Sequence, residues 1–242
     1  MHILSTRPDT GAEPDPLVAA LRAQGHRVTQ APLLSVVPVG GMPTLNGVQA
    51  LIVTSRNGLK AVAPFAGTAL GLPLYAVGPG TAALARSHGF RTVIEGPGTG
   101  RALAEIIASE ADPAAGALVH LAGETLAFDL KGALEDRGFA VRTEIVYRTE
   151  PAGAFPGEVA EMFRQGGFDA VVLMSPRTAK VYATLIGHAD LGGQARRTVH
   201  FCLSDAVGQE LIPLGAVRIA VSPLPNSEEM LALIAREASE SS

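Results

Sequence analysis

The strongest constraint on this chain is an alternation. Short runs rich in Val, Ile and Leu recur along its length, separated by Ala- and Leu-rich segments with helical spacing. That pattern favours α/β architecture with largely parallel strands, because a parallel pair needs a crossover long enough to hold a helix. It predicts strands at 2–5, 27–31, 50–54, 74–77, 91–94, 117–122, 141–147, 169–174, 199–203 and 217–221. Helices are expected at 15–24, 81–88, 99–110, 126–137, 177–186 and 227–237. Gly25, Gly89 and Gly138 fall where helices should stop, at positions suited to a left-handed C-terminal residue. Ten short strands are more than one small sheet usually holds, so two sheets are expected.

A weak internal repeat sharpens that expectation. Ala-Leu-Ile-Val-Thr-Ser-Arg at 50–56 resembles Ala-Val-Val-Leu-Met-Ser-Pro-Arg at 170–177, and 17–28 resembles 130–141. Both offsets lie near half the chain length, which points to a duplication. Segments 32–38 and 146–151 are extended in character and end near proline, so they are the candidate crossings between two halves.

Composition removes several classes. With 242 residues, 47 % hydrophobic and 17 % charged, the chain has ample material for a packed core. No apolar run approaches the roughly 18–20 residues of a membrane span, and the first residues lack a basic segment followed by a long apolar core. The lone Cys202 cannot form an internal disulfide and reads as a small core residue, which fits a reducing, cytoplasmic setting. The net charge is −4 and no Lys/Arg block occurs, so neither nucleic acid nor a membrane is an expected partner. Only Lys60, Lys131 and Lys180 are lysines among 19 basic residues. The arginines that make up the rest leave room for local recognition of anions, since the guanidinium fork suits carboxylates and phosphates.

The loudest local motif is Gly78-Pro-Gly80-Thr81-Ala-Ala83, placed between an expected strand and an expected helix. It matches a dinucleotide fingerprint formally, with Glu95 near the place of a ribose-binding acid. Pro79, however, lacks the N–H that such a loop aims at phosphate. The alternatives are a plain strand–helix turn with Thr81 as the cap, or free helix amides that receive a carboxylate. Two further junctions carry a Ser followed within two residues by an Arg, Thr54-Ser55-Arg56 and Ser175-Pro176-Arg177, at equivalent places in the repeat. Helix capping alone accounts for either serine, but strand ends are also where open α/β sheets bind ligands. Gly123-Glu124-Thr125 occupies the same kind of position. No phosphate-binding Gly-x-x-x-x-Gly-Lys loop and no Gly-x-Ser-x-Gly elbow is present, and His2, His26, His88, His120, His188 and His200 show no metal-binding spacing. Tyr147, one of three tyrosines, is open to two readings, a packing ring or a functional phenol.

The ordered set of these segments resembles the uroporphyrinogen-III synthase family. The resembling residues are Thr54-Ser55-Arg56-Asn57-Gly58, Ala76-Val77-Gly78-Pro79-Gly80-Thr81-Ala82, and Gly138 to Val141 leading into Val146-Tyr147-Arg148-Thr149. The strand 170–174 running into Ser175-Pro176, and Ser227 to Leu231 opening the last helix, complete the set. The resemblance implies two parallel-sheet α/β domains formed by an interlaced duplication, joined by a two-stranded linker with a cleft between them. Residues 1–34 plus 152–242 would form the first domain, 38–146 the second, with linkers at 35–37 and 147–151. It implies a cyclising hydro-lyase of porphyrin and heme biosynthesis that converts hydroxymethylbilane to uroporphyrinogen III, inverting ring D and releasing water. No metal or redox cofactor is implied. A monomer is expected, with a transient contact to hydroxymethylbilane synthase.

Residue by residue, the resemblance makes Tyr147 the proton donor. Thr54, Ser55, Gly78, Thr81 and Ser175 match loop positions that face substrate, and Arg56, Gly123, Arg177 and Ser204 join them as substrate-binding candidates. Leu203-Ser204-Asp205-Ala206-Val207 departs from the Gly-Pro-x-Thr-Ala loop of many members, so only Ser204 offers a hydroxyl there. Two other classes compete with this reading: a non-catalytic two-domain protein that binds small anions, and an NAD-dependent oxidoreductase built on Gly78–Ala83.

Overall fold

The alternation is realised strand by strand. In the computed structural model, which describes residues 1–7 and 15–240, the chain begins β1 (His2–Ser5), α1 (Pro16–Ala23), β2 (Arg27–Gln30), β3 (Leu34–Pro38), β4 (Val48–Val53), α2 (Arg56–Val62) and β5 (Leu74–Ala76). It continues through α3 (Pro79–Ser87), β6 (Val93–Glu95), α4 (Gly100–Glu110), β7 (Ala117–Gly123), α5 (Leu130–Glu135), β8 (Val141–Pro151) and α6 (Gly157–Arg164). The remainder is β9 (Ala170–Leu173), α7 (Pro176–His188), α8 (Gly192–Ala195), β10 (Val199–Cys202), α9 (Asp205–Gln209), β11 (Arg218–Val221) and α10 (Ser227–Glu240). Among the described residues, no helix is long and apolar enough to cross a membrane.

Two compact units result, Met1–Ser35 with Glu150–Ser242, and Val36–Thr149. The first unit holds a sheet of order β11-β10-β9-β1-β2, whose neighbouring pairs are all parallel. The second holds the order β3-β8-β7-β4-β5-β6, parallel from β8 to β6. Where β3 meets β8 the residue numbers run in opposite directions. Val39 N donates to Val146 O at 2.8 Å and Ala152 N to Leu33 O at 2.9 Å.

Strands covered on both faces read as unbroken apolar runs, and β4 and β9 are such strands, with Ala50–Val53 and Ala170–Leu173 fully buried. The two-residue period distributes their side chains to opposite cores. Leu51 and Val53 pack with Val119, Leu121 and Leu59, while Ile52 packs with Leu118, Leu103 and Ile107. In the other unit Val171 and Leu173 join Phe163 and Tyr182, and Val172 joins Ile3, Phe201 and Met230.

The duplication is written in the sheet order. The similarity of 50–56 to 170–177 equates β4 with β9, and that of 17–28 to 130–141 equates α1–β2 with α5–β8. On that basis β6-β5-β4-β7-β8 and β11-β10-β9-β1-β2 are the same arrangement. Each sheet therefore combines the opening of one repeat with the later strands of the other.

Several local expectations need correction. Segment 34–38 is a strand, and β8 runs on to Pro151 instead of ending at Tyr147, because the two extended segments satisfy one another's backbone groups. The helix expected over 126–137 is only Leu130–Glu135: the Asp129 carboxylate accepts from Gly132 N at 2.9 Å and fixes the start there. Thr81 is not a cap either. Gly78 holds that position, Pro79 supplies the first helical residue with its preset φ, and Thr81 is third. The expected stops at Gly25, Gly89 and Gly138 are borne out by φ of +84°, +93° and +86°.

Candidate functional site

In the sheet of the second unit the chain leaves β4 toward β5 on one side and leaves β7 toward β8 on the other. The carboxyl ends of β4 and β7 therefore flank a topological switch point, where the loops diverge and leave a crevice. A cavity of about 470 Å³ opens there. Thr54 and Ser55 come from the end of β4, Val77 from that of β5, and Gly98 to Arg101 from the entry to α4. His120 on β7, the loop residues Gly123 and Thr125 to Phe128, Leu130, and Tyr147 on β8 complete the wall.

Tyr147 owes its place to a register shift. Ala122 pairs with Ile145 but Gly123 with Tyr147, so β8 carries one extra residue, Val146, whose side chain is buried. The Tyr147 ring then lies directly over Gly123. A Cβ at Gly123 would sit 2.5 Å from the ring Cζ and 2.7 Å from the hydroxyl oxygen, so only glycine permits this approach. Glu124 N donates to Tyr147 O at 3.2 Å and holds the loop to the strand.

His120 is 1 % exposed, and its Nε2 lies 2.9 Å from Thr54 Oγ1. Burial pushes its pKa down to about 4, so the ring is neutral at neutral pH. Its Nδ1 has no hydrogen-bond partner among the described residues. Across the cavity the Arg101 guanidinium carbon stands 5.3 Å from the centroid of the Phe128 ring. Phe128 in turn packs on Gly100, where an added Cβ would meet the ring at 3.1 Å. Thr99 caps α4, accepting from Ala102 N at 3.3 Å. Among the described residues no carboxylate lines this cavity in a chain of net charge −4, while Arg101, the first turn of α4 and the hydroxyl-bearing Thr54, Thr125 and Tyr147 do. Donors and positive potential against an apolar wall suit a ligand that carries carboxylates.

Of the residues singled out in the sequence, Thr54, Ser55, Gly123 and Tyr147 meet around this cavity. Ser55 is also the cap of α2, accepting from Asn57 N at 3.1 Å. Arg56 opens α2 on the exposed side, and Gly78 and Thr81 lie outside the lining. An added Cβ at Gly78 would stand 3.2 Å from Gly98 Cα, and Thr81 is buried in the first turns of α3. Ser175, Arg177 and Ser204 belong to the other unit, at the equivalent ends of β9 and β10. Ser175 caps α7, accepting from Thr178 N at 3.2 Å, whereas Ser204 makes no side-chain cap bond to α9. Thr99, Arg101, Phe128 and His120 were not singled out. For His120 the signal was present as the one polar side chain inside the apolar strand Leu118–Ala122.

The Gly78–Ala83 turn offers no dinucleotide cradle. Its first glycine faces the Gly98 backbone, Ala83 is exposed and not wedged between helix and strand, and the Glu95 carboxylate lies 3.3 Å from Arg86. Among the described residues, no group of three or more His, Cys, Asp or Glu side chains could hold a metal ion. A larger cavity of about 870 Å³ opens in the first unit beside Met1, Asp169, Val199 and Arg218. Those residues sit at the amino ends of parallel strands, the edge opposite to the one where such sheets bind ligands.

Three comparisons bear on this geometry. The sequence profile of the family described as Uroporphyrinogen-III synthase HemD matches residues 15–232. The crystal structure of uroporphyrinogen-III synthetase from Helicobacter pylori 26695 superimposes with a TM-score of 0.62 at 14 % identity, covering 98 % of this chain and 99 % of that one, which is a shared fold. A mutant uroporphyrinogen III synthase from the extremely thermophilic bacterium Thermus thermophilus matches with a TM-score of 0.49 at 16 % identity, covering 99 % of each chain. No curated protein matches by sequence.

Proposed function

The chain belongs to the uroporphyrinogen-III synthase family, and from that premise we propose how its residues share the work. It is a cyclising hydro-lyase of tetrapyrrole biosynthesis, and its substrate is hydroxymethylbilane. The substrate's pyrrole nitrogen can expel the terminal hydroxymethyl oxygen and leave an azafulvene cation. The protein then has two tasks, to protonate the departing hydroxyl and to hold the chain so that ring D attacks through its substituted carbon. Those are general acid catalysis and orientation.

The observation that carries this reading is the Tyr147 phenol laid over Gly123 at the wall of a donor-lined cavity. A phenol O–H can donate to a leaving oxygen. We assign Tyr147 that role, and assign Thr54, Ser55 and Gly123 to substrate binding beside it. Arg101 and the first turn of α4 supply the charge complement for a substrate carboxylate. Arg56, Gly78 and Thr81, and in the other unit Ser175, Arg177 and Ser204, are proposed as further substrate contacts. We further propose a cytoplasmic monomer that meets hydroxymethylbilane synthase only transiently; the lone buried Cys202 fits a reducing compartment.

The test is product analysis with hydroxymethylbilane synthase supplying the bilane. Isomer III in excess over the spontaneously formed isomer I is expected. Isomer I alone, with tight binding of the bilane, would instead favour a binding protein without catalysis.

A further inference from the structure

His120 and Thr143 are register partners on the neighbouring parallel strands β7 and β8 and share one face of the sheet. Both carry a buried polar atom without a hydrogen-bond partner among the described residues, Nδ1 of His120 and Oγ1 of Thr143. His120 Nε2 is bonded to Thr54 Oγ1. A neutral imidazole owns a single N–H, so the two tautomers place different demands on these neighbours. With the proton on Nδ1, the Thr54 hydroxyl must donate to Nε2, and the Thr143 hydroxyl hydrogen is left with no acceptor. The two atoms are not bonded to each other directly, but with the proton on Nε2, that N–H donates to Thr54 Oγ1 and Nδ1 becomes an acceptor that one bridging water can connect to the Thr143 hydroxyl. A buried hydrogen without an acceptor is the costlier omission, so the second arrangement is favoured. It leaves one hydrogen unspent, the hydroxyl hydrogen of Thr54, which lines the cavity.

We infer that His120 is a positioning residue that, through an Nε2–H bond to Thr54, fixes the Thr54 hydroxyl as a hydrogen-bond donor toward the ligand in the cavity. This rests on the reading of that cavity as the substrate site. Burial keeps the ring in the neutral form on which the tautomer choice depends. A donor at Thr54 matches a substrate rich in carboxylate and leaving-oxygen acceptors, whereas an acceptor there would repel them.

Two measurements test it. NMR correlation of the ring nitrogens in isotope-labelled protein, assigned against His120→Gln, should show His120 protonated at Nε2; a proton on Nδ1 overturns the inference. In the coupled assay, His120→Leu should lower the kcat/KM for isomer III by roughly tenfold or more, and His120→Gln, whose amide N–H can reach Thr54, should recover most of that loss. In a Thr54→Val background, His120→Leu should add less than about a threefold further loss, because its route to the substrate is already gone. Equal losses for Leu and Gln, or an undiminished loss in the Thr54→Val background, overturn it. If the unmodified protein makes no isomer III, it is the functional reading that fails, and the NMR measurement still decides the tautomer.

Discussion

Tyr147 keeps its position because Gly123 has no side chain, and that dependence separates two variants. Tyr147→Phe retains the ring and its packing against the Val53–Val119 core but removes the proton, so turnover should fall by roughly 100-fold, the low end for general acid catalysis, at unchanged melting temperature. The substrate assists its own dehydration, which is why activity should persist at all. Unchanged turnover would leave Tyr147 a packing ring only. Gly123→Ala keeps the phenol but forces it away from a Cβ that would stand 2.5 Å from Cζ. Turnover should drop at least as far, with a stability loss of about 1–3 kcal/mol visible in denaturant unfolding. If Gly123→Ala turns over normally, the ring position is irrelevant to the chemistry. Thr54 and Gly123 were legible in the sequence because each closes an apolar strand, and Tyr147 because the Val146-Tyr147-Arg148-Thr149 segment carries the family resemblance. His120 was not, since a histidine inside such a strand looks the same whether it is a satisfied core residue or faces a cavity.

Among the elements, α4 brings the guanidinium of Arg101 to the cavity. Its first turn lines the cavity, and Arg101 is held over Phe128, which packs on Gly100. Arg101→Ala should raise the KM for the bilane about five- to tenfold and leave kcat nearly unchanged, as expected when an interaction is equal in ground and transition states. Raising the salt concentration should shrink the difference between the two proteins; a kcat defect with normal KM would place Arg101 in the chemistry instead. The strands were readable because burial on both sides imposes an apolar run, and the helix stops because the left-handed region selects glycine. The start of α5 was misplaced by four residues, since Leu126 to Phe128 has helical composition while the cap that decides the matter is Asp129. Likewise β3 could be seen as extended but not as a strand, because its partner lies more than a hundred residues away.

For the whole molecule, each unit buries one histidine in its parallel sheet, His120 in one and His200 in the other. His200 is held between the Tyr182 hydroxyl, 2.9 Å from Nε2, and the Arg218 carbonyl, 3.2 Å from Nδ1, with Cys202 on the same strand. Since a carbonyl only accepts, Nδ1 bears the proton and Tyr182 donates to Nε2. Desolvation drives both histidines down to about 4. An unfolded chain titrates them near 6.5, so between those two values the unfolded state binds more protons than the folded one. Stability should therefore be complete above about pH 6.5, fall as the pH drops toward 4, and level off below it as far as these groups are concerned. The full change is on the order of 3 kcal/mol for each histidine. His120→Gln should flatten that slope without touching the Tyr182 network. Tyr182→Phe, which strands a ring nitrogen that has lost its donor, should instead lower stability by about 1–3 kcal/mol at pH 7.5. Denaturant unfolding of the three proteins across this pH range is the check. A slope in His120→Gln equal to that of the unmodified chain would mean that the His120 ring is already charged in the folded state, a result at odds with both its burial and its bond to Thr54.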